Sequence, residues 1–103
     1  MSFSSEHNIP STHPSLDGHF PGNPIVPGVV LLEEVTAALH KWIPDSRIKG
    51  FTAVKFLRPL KPDNRFTIDL QEKVPGKITF NCRSEQQLLN TGTLILHTEK
   101  IHA

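Results

Sequence analysis

The hydrophobic positions of this chain change period once, and the change divides it in two. From Val29 to about Ile43, Leu31, Val35, Leu39 and Trp42 recur at intervals of three and four, and Leu32 and Ile43 widen the stripe. That spacing puts apolar side chains on one side of a helix. Pro27 and Gly28 suit its start and Pro44 its end. Apart from Glu33, Glu34, Thr36, His40 and Lys41, nearly every side chain here is apolar. The pattern therefore predicts a helix covered on most sides.

After the helix the period falls to two. "RIKGFTAVKFLRPL" (47 to 60) reads as a long strand and "KPDN" (61 to 64) as a turn. "RFTIDLQEKV" (65 to 74) alternates through Phe66, Ile68 and Leu70, and "KITFNCRSE" (77 to 85) through Ile78, Phe80 and Cys82, with a tight Pro75-Gly76 connection between them. "LLNTGTLILHTEK" (88 to 100) is the last strand. Ahead of the helix, residues 1 to 13 carry scattered apolar positions, Phe3 and Ile9, and predict a weak edge strand, since Pro10 and Pro14 cannot donate to a central ladder. Residues 14 to 28 form a loop whose prolines at 14, 21, 24 and 27 fix its path. One helix, a four-strand antiparallel meander and an N-terminal strand predict an α+β fold. Its five-stranded antiparallel sheet curls around a central helix, which is the hotdog architecture.

Composition narrows the function classes. At 103 residues the chain suits one domain, 1–103, with a modest core that oligomerisation would extend. A formal net charge of +1 argues against a nucleic-acid binder. The single Cys82 excludes an internal disulfide and fits a reducing cytoplasm. The opening "MSFSSEHNIP" has neither a basic nor an apolar leader region, and no apolar run approaches the roughly 20 residues of a membrane span. The six histidines include none spaced as a metal-ligand cluster.

The chemistry concentrates in "DGHFPGNPIVPGVVLLEEV", residues 17 to 35. His19 lies in the stiffened loop and Glu33 fourteen residues on, in the first turns of the helix, with Gly28 at the helix start between them. An imidazole titrates near neutrality and can take a proton. A carboxyl in an apolar pocket can give one, and free amides at a helix start can hold an oxyanion. Taken singly these features are commonplace: loop histidines usually face solvent, acids in a first helical turn usually complement its dipole, and Pro/Gly loops usually just turn.

"GHFPGNPIVPGVVLLEE" closely resembles, without a gap from Gly18 to Glu33, the signature of the β-hydroxyacyl-(acyl carrier protein) dehydratases, the FabA/FabZ-like hotdog enzymes. "VKFLRPLKPDN" (54 to 64) is similar to the strand and turn that follow their helix, except that Pro62-Asp63-Asn64 lacks the glycine of their usual Pro-Gly-Asp. "IPSTHPSLDGHFPG" (9 to 22) is most like the short subgroup of aryl-polyene-type accessory lipid pathways.

The resemblance implies that His19 is the catalytic base, Glu33 the catalytic acid and Gly28 the residue whose amide polarises the thioester carbonyl. It places Phe20 beside the acyl chain, with Pro27 and Val29 at the same helix start as substrate contacts. The implied reaction is reversible dehydration of a (3R)-hydroxyacyl thioester to the trans-2-enoyl thioester, with no metal and no cofactor beyond the phosphopantetheine arm of the acyl carrier protein. Glu34 stands where the larger enzymes usually carry alanine and competes with Glu33 for the acid role.

The carrier protein is acidic, so a basic face is expected. Lys41, Arg47, Lys49, Lys55, Arg58, Lys61 and Arg65 crowd the middle of the chain, and Arg58 and Lys61 are the best candidates for the carrier or its arm. The family also implies a twofold dimer, homomeric or with another hotdog subunit. Two rival readings are a hotdog thioesterase and a non-catalytic subunit that binds carrier protein.

Overall fold

The computed structural model describes residues 1–16 and 25–97. Its elements are strand β1 (Ser2–His7), a 3-10 turn (Pro14–Leu16), helix α1 (Gly28–Trp42), and strands β2 (Ile48–Phe56), β3 (Phe66–Val74), β4 (Lys77–Ser84) and β5 (Gln87–Leu96). They form one five-stranded sheet in the order β1-β3-β4-β5-β2, antiparallel throughout, with the helix on one face.

The four later strands are not a simple meander. Strand β2 pairs with β5, not with β3, and β1 takes the place beside β3 that a meander would give to β2. The connections explain this. The segment from 57 to 65 is too long for a hairpin loop and carries the chain from one sheet edge to the other side. Strands β3, β4 and β5 are joined by tight turns. Gly76 turns the first at φ 83°, and Glu85 and Gln86 turn the second with φ 50° and 66°. Two successive positive φ values match the right-handed twist of the strands, at a local cost for residues that carry a Cβ. Asp63 also sits at positive φ, 66°, in the turn where the related signature has glycine. Its carboxylate accepts from the Ser11 amide at 3.1 Å and its own amide donates to Ile9 at 2.8 Å. A short acidic side chain tolerates this conformation and here ties two loops together.

The helix is not covered on most sides. Val30, Leu31, Val35, Ala38 and Leu39 are buried against the sheet. Val29, Glu33, Ala37, His40 and Lys41 form an exposed stripe along the other side. The sheet contributes Phe66, Ile68, Leu70, Ile78, Phe80, Cys82 and Leu94 to the same core. A single curled layer can close over only one side of a helix in one chain, so the remaining apolar positions stay open.

Strand β2 is irregular in a way that matters for the site. Its pairing with β5 shifts by one residue between Thr52 and Lys55, where Ala53 takes a φ of 55°. Without that extra residue Lys55 would stand opposite Asn90; with it, Phe56 does. A one-residue shift exchanges the faces of a strand. The bulge therefore puts an aromatic ring, not a lysine, on the helix side at the end of β2.

Two predictions follow from the sheet. A Cβ built on Gly92 would lie 2.5 Å from Cζ and 2.7 Å from Cε2 of Phe80, a fully buried ring that meets Phe51 edge-on at 6.0 Å. Gly92→Ala should lower stability by about 1–3 kcal/mol, read as a shift of the urea midpoint. On the outer face, Asp69 accepts from Arg83 at 2.6 Å and from Ser4 at 2.6 Å. The Arg83 hydrogen bond, more than any other influence, holds the Asp69 carboxyl below its ordinary value of 3.8, against the opposing effect of partial burial. A depressed folded value means that the stabilisation is present above 3.8 and is lost as pH falls through the lower folded value. The stability difference between wild type and Asp69→Asn should be small at neutral pH, within about 1 kcal/mol, and should vanish on acidification.

Candidate active site

The first turn of α1 is the centre of the site. Its N-cap, Pro27, holds extended backbone (φ −61°, ψ 146°) and offers no side chain to cap the helix. The Pro27 carbonyl accepts from the amides of Val30 at 3.0 Å and Leu31 at 3.4 Å. The amides of Gly28 and Val29 have no acceptor among the described residues. Unpaired amides at the positive end of a helix dipole are suited to a developing negative charge.

Gly28 lines an apolar cleft. A cavity of about 340 Å³ is walled by Ile25, Val26, Gly28 and Leu31 on the helix side and by Phe56, Leu57 and Leu60 on the other, with Arg58 and Pro59 at its border. A hydrogen bond from the Val26 amide to the Leu60 carbonyl, 2.8 Å, holds the two walls together. A larger residue at position 28 would push aside the half-exposed Phe56 ring. A Cβ at that position would lie 2.7 Å from the tip of the Phe56 ring.

The two adjacent acids have separate surroundings. Both lie beyond the first helical turn, which contains no acid, so neither is explained by the dipole alone. Glu33 lies on the exposed stripe, one turn on from Val29, and makes no hydrogen bond or ion pair among the described residues. Glu34 points the other way. Its Oε1 is 3.1 Å from Nδ1 of His7, whose Nε2 is 2.6 Å from the Ser5 hydroxyl. A single neutral tautomer satisfies both contacts: Nδ1–H donates to Glu34, and Nε2 accepts from Ser5. The His7 ring is buried and stacks on Phe66 with centroids 5.6 Å apart. Glu34 is thus committed to joining α1 to β1, while Glu33 is free.

Of the residues singled out in the sequence, Gly28, Pro27, Val29 and Arg58 come together at or beside the cleft. Glu33 sits on the same helix but faces outward. Lys61 is exposed and lines a separate groove with Asn64, Glu85 and Gln87. The other basic residues are spread rather than gathered; Lys49, for example, joins Lys77 and His97 at the opposite end of β2. His19 and Phe20 lie outside the described residues. Among the described residues no group of three or more potential metal ligands gathers, and no helix is long and apolar enough to cross a membrane. Cys82 is a core residue: burial first, then the charge of Asp69, pushes its thiol up to about 12, with the Asn90 amide opposing them. It is not a nucleophile at neutral pH.

Sequence reasoning missed two residues. His7 was legible only as one more histidine in a strand, although its alternation with Phe3 and Ser5 placed all three on one face. Asn90 gave no signal, because a polar residue in an alternating strand is expected to face solvent.

Comparison with known proteins bears directly on this site. Residues 1–93 match the model of the ApeI-like family, described as ApeI dehydratase. Over 72 residues, 62% of this chain and 48% of the relative, the sequence is 35% identical to the 3-hydroxyacyl-[acyl-carrier-protein] dehydratase FabZ of Thermomicrobium roseum. It is 32% identical over 75 residues, 62% of this chain and 50% of the relative, to the FabZ of Variovorax paradoxus. The match thus spans about half the length of these curated relatives. The chain shares its fold with the dehydratase heterocomplex ApeI:P of Xenorhabdus doucetiae, with a TM-score of 0.81 at 24% identity, covering 92% of this chain and 86% of that one. With a five-stranded sheet around one helix, a free-amide helix start on an apolar cleft and a family match over nearly its whole length, the chain belongs to the ApeI-like dehydratase family of hotdog proteins.

Proposed function

We propose that the protein dehydrates (3R)-hydroxyacyl thioesters carried on an acyl carrier protein, reversibly, to trans-2-enoyl thioesters, in fatty-acid or polyene-type lipid synthesis. The observation that carries this reading is the helix start: an apolar cleft is lined by Gly28, whose amide, like that of Val29, has no acceptor among the described residues, and the same helix presents at Glu33 a carboxyl with no partner among them. In this reading the acyl chain lies in the cleft and the thioester oxygen accepts from the Gly28 amide. His19 takes the proton from C2, and its electron pair becomes the new C2=C3 bond by way of an enolate. Glu33 gives its proton to the 3-hydroxyl as the C3–O bond breaks, and water leaves. His19 then returns its proton to Glu33 through solvent. Each proton-transfer role is worth roughly 10²–10⁴ in rate, and one oxyanion donor about 3 kcal/mol. The protein brings no cofactor of its own; the substrate arrives on the phosphopantetheine arm. A buried, unpaired thiol suits a cytoplasmic setting.

Glu33 lies on an exposed stripe, and the end of β2, packed against the start of the same helix, carries Phe56, with Leu57 just beyond it, 53% and 52% exposed. Apolar side chains this open at a free sheet edge support pairing with a second hotdog subunit, a copy of this chain or a relative, as in the two-component ApeI:P complex. In that dimer His19 of one chain works with Glu33 of the other.

Three measurements test this reading. His19→Ala and Glu33→Gln should each abolish conversion of a 3-hydroxyacyl carrier-protein thioester, followed by the loss of 18 mass units, while both variants still fold. Release of free thiol instead would make the protein a thioesterase. Mixing the two inactive variants under subunit exchange should restore about a quarter of wild-type activity, because half the dimers are mixed and each mixed dimer has one intact site. No recovery would place both residues of a site in one chain. Lys61 lies off the cleft, so Lys61→Glu should raise KM for carrier-bound substrate several-fold and leave a short pantetheine thioester unaffected. Added salt should weaken the carrier substrate in the same selective way.

A further inference from the structure

Asn90 is the one fully buried polar side chain whose nitrogen and oxygen both lack a hydrogen-bond partner among the described residues. Leaving a buried amide unpaired is destabilising, and native cores rarely tolerate it without a role. Its position supplies one. Asn90 stands directly opposite Phe56 across the β2–β5 pair and opposite Cys82 across β4–β5, so it shares the helix-side face with both. Facing residues in such a ladder have Cβ atoms about 5 Å apart. The next carbonyl along, that of Leu89, accepts from the amides of Leu57 and Arg58 at 2.8 and 3.1 Å, which anchors this part of β5 to the cleft wall. The Asn90 side chain therefore lies between the Cys82 thiol, which it helps to ionise, and the Phe56 ring, and that ring closes one side of the cleft against Gly28. Phe56 is half exposed, so moving its ring uncovers little buried surface.

We propose that Asn90 determines substrate specificity: its amide, behind the Phe56 ring that walls the cleft, hydrogen-bonds, once that ring turns aside, a hydroxyl carried on the acyl chain beyond the reacting carbons. A hydroxyl can donate to Oδ1 or accept from Nδ2, and is a stronger partner for the amide than the weakly polar Cys82 thiol beside it. A plain alkyl chain would fill the same space and leave the amide unpaired. A site built to hydrogen-bond a substrate group rejects the analogue that lacks it far more strongly than an apolar pocket rejects a missing methylene. This specificity rests on the dehydratase reading for the reaction, but not for binding.

The test uses acyl-pantetheine thioesters of one chain length, saturated and unreactive, in which a single hydroxyl is moved one carbon at a time along the chain. Binding to the wild-type protein is measured by calorimetry against the plain alkyl thioester. One hydroxyl position should bind at least about tenfold more tightly than alkyl. Asn90→Leu should lose that preference, and its thermal midpoint should be unchanged or higher. Asn90→Ser, which keeps a donor and an acceptor, should recover part of the preference. If no position is preferred by wild type, or if the preference survives in Asn90→Leu, the assignment is wrong. The matching 3-hydroxyacyl thioesters report on the reaction separately. Hydroxyl-selective binding without turnover would remove the dehydratase and leave Asn90's role standing, and turnover without selectivity would do the reverse.

Discussion

The helix is buried on one side only, and the location of its two ends and its two faces organises the rest of the molecule. Val30, Leu31, Val35, Ala38 and Leu39 close against a sheet whose own inner face is Phe66, Ile68, Leu70, Ile78, Phe80 and Leu94. Burying these side chains is the main source of stability, at roughly 1.5–3 kcal/mol for each large one. The same packing brings the bare N-terminus of α1 to the end of β2. There the Phe56 ring meets a glycine. A free-amide helix end beside an apolar cleft is therefore a product of how the core closes.

Polar groups on the helix side of the sheet divide into satisfied and unsatisfied ones. His7, Ser5 and Glu34 form a connected chain in which each ring nitrogen has a partner, and this chain ties an edge strand to the helix. It gives Glu34 a structural partner, whereas Glu33 has none among the described residues. Asn90 is the opposite case, a fully buried amide beside the Cys82 thiol whose nitrogen and oxygen make no hydrogen bond of good geometry among the described residues. The contrast between two buried polar residues in one small core separates a structural device from a group waiting for a ligand.

The irregularity of β2 connects these features. Ala53, held in a left-handed conformation, absorbs one extra residue and turns Phe56 to the helix side, opposite Asn90. A regular strand would have put Lys55 there, and a charged side chain beside the helix start would have filled the cleft with water and with positive charge. Positive φ at a non-glycine residue costs about 1–2 kcal/mol, and its location beside the site is where such strain is usually kept.

Much of this was legible in the sequence. The helix from the three-and-four spacing of Leu31, Val35 and Leu39, the later strands from their alternation, and the grouping of Gly28 with Glu33 all rest on local periodicity, which one stretch of chain determines by itself. The ungapped run from Gly18 to Glu33 also carried the family. Strand order did not follow, because the pairing of β2 with β5 depends on a long connection whose path no local pattern encodes. Nor did the helix's open stripe, since apolar residues are written the same way whether a sheet covers them or not. The different surroundings of Glu33 and Glu34 depended on His7, which is 27 residues away from Glu34 in the chain and 3.1 Å away in space. Asn90 reads as a solvent-facing residue until the register of β5 turns it inward. Periodicity along the chain determined the elements and the chemical groups; which of those groups meet, and which remain unpaired, was decided only when distant strands came into register.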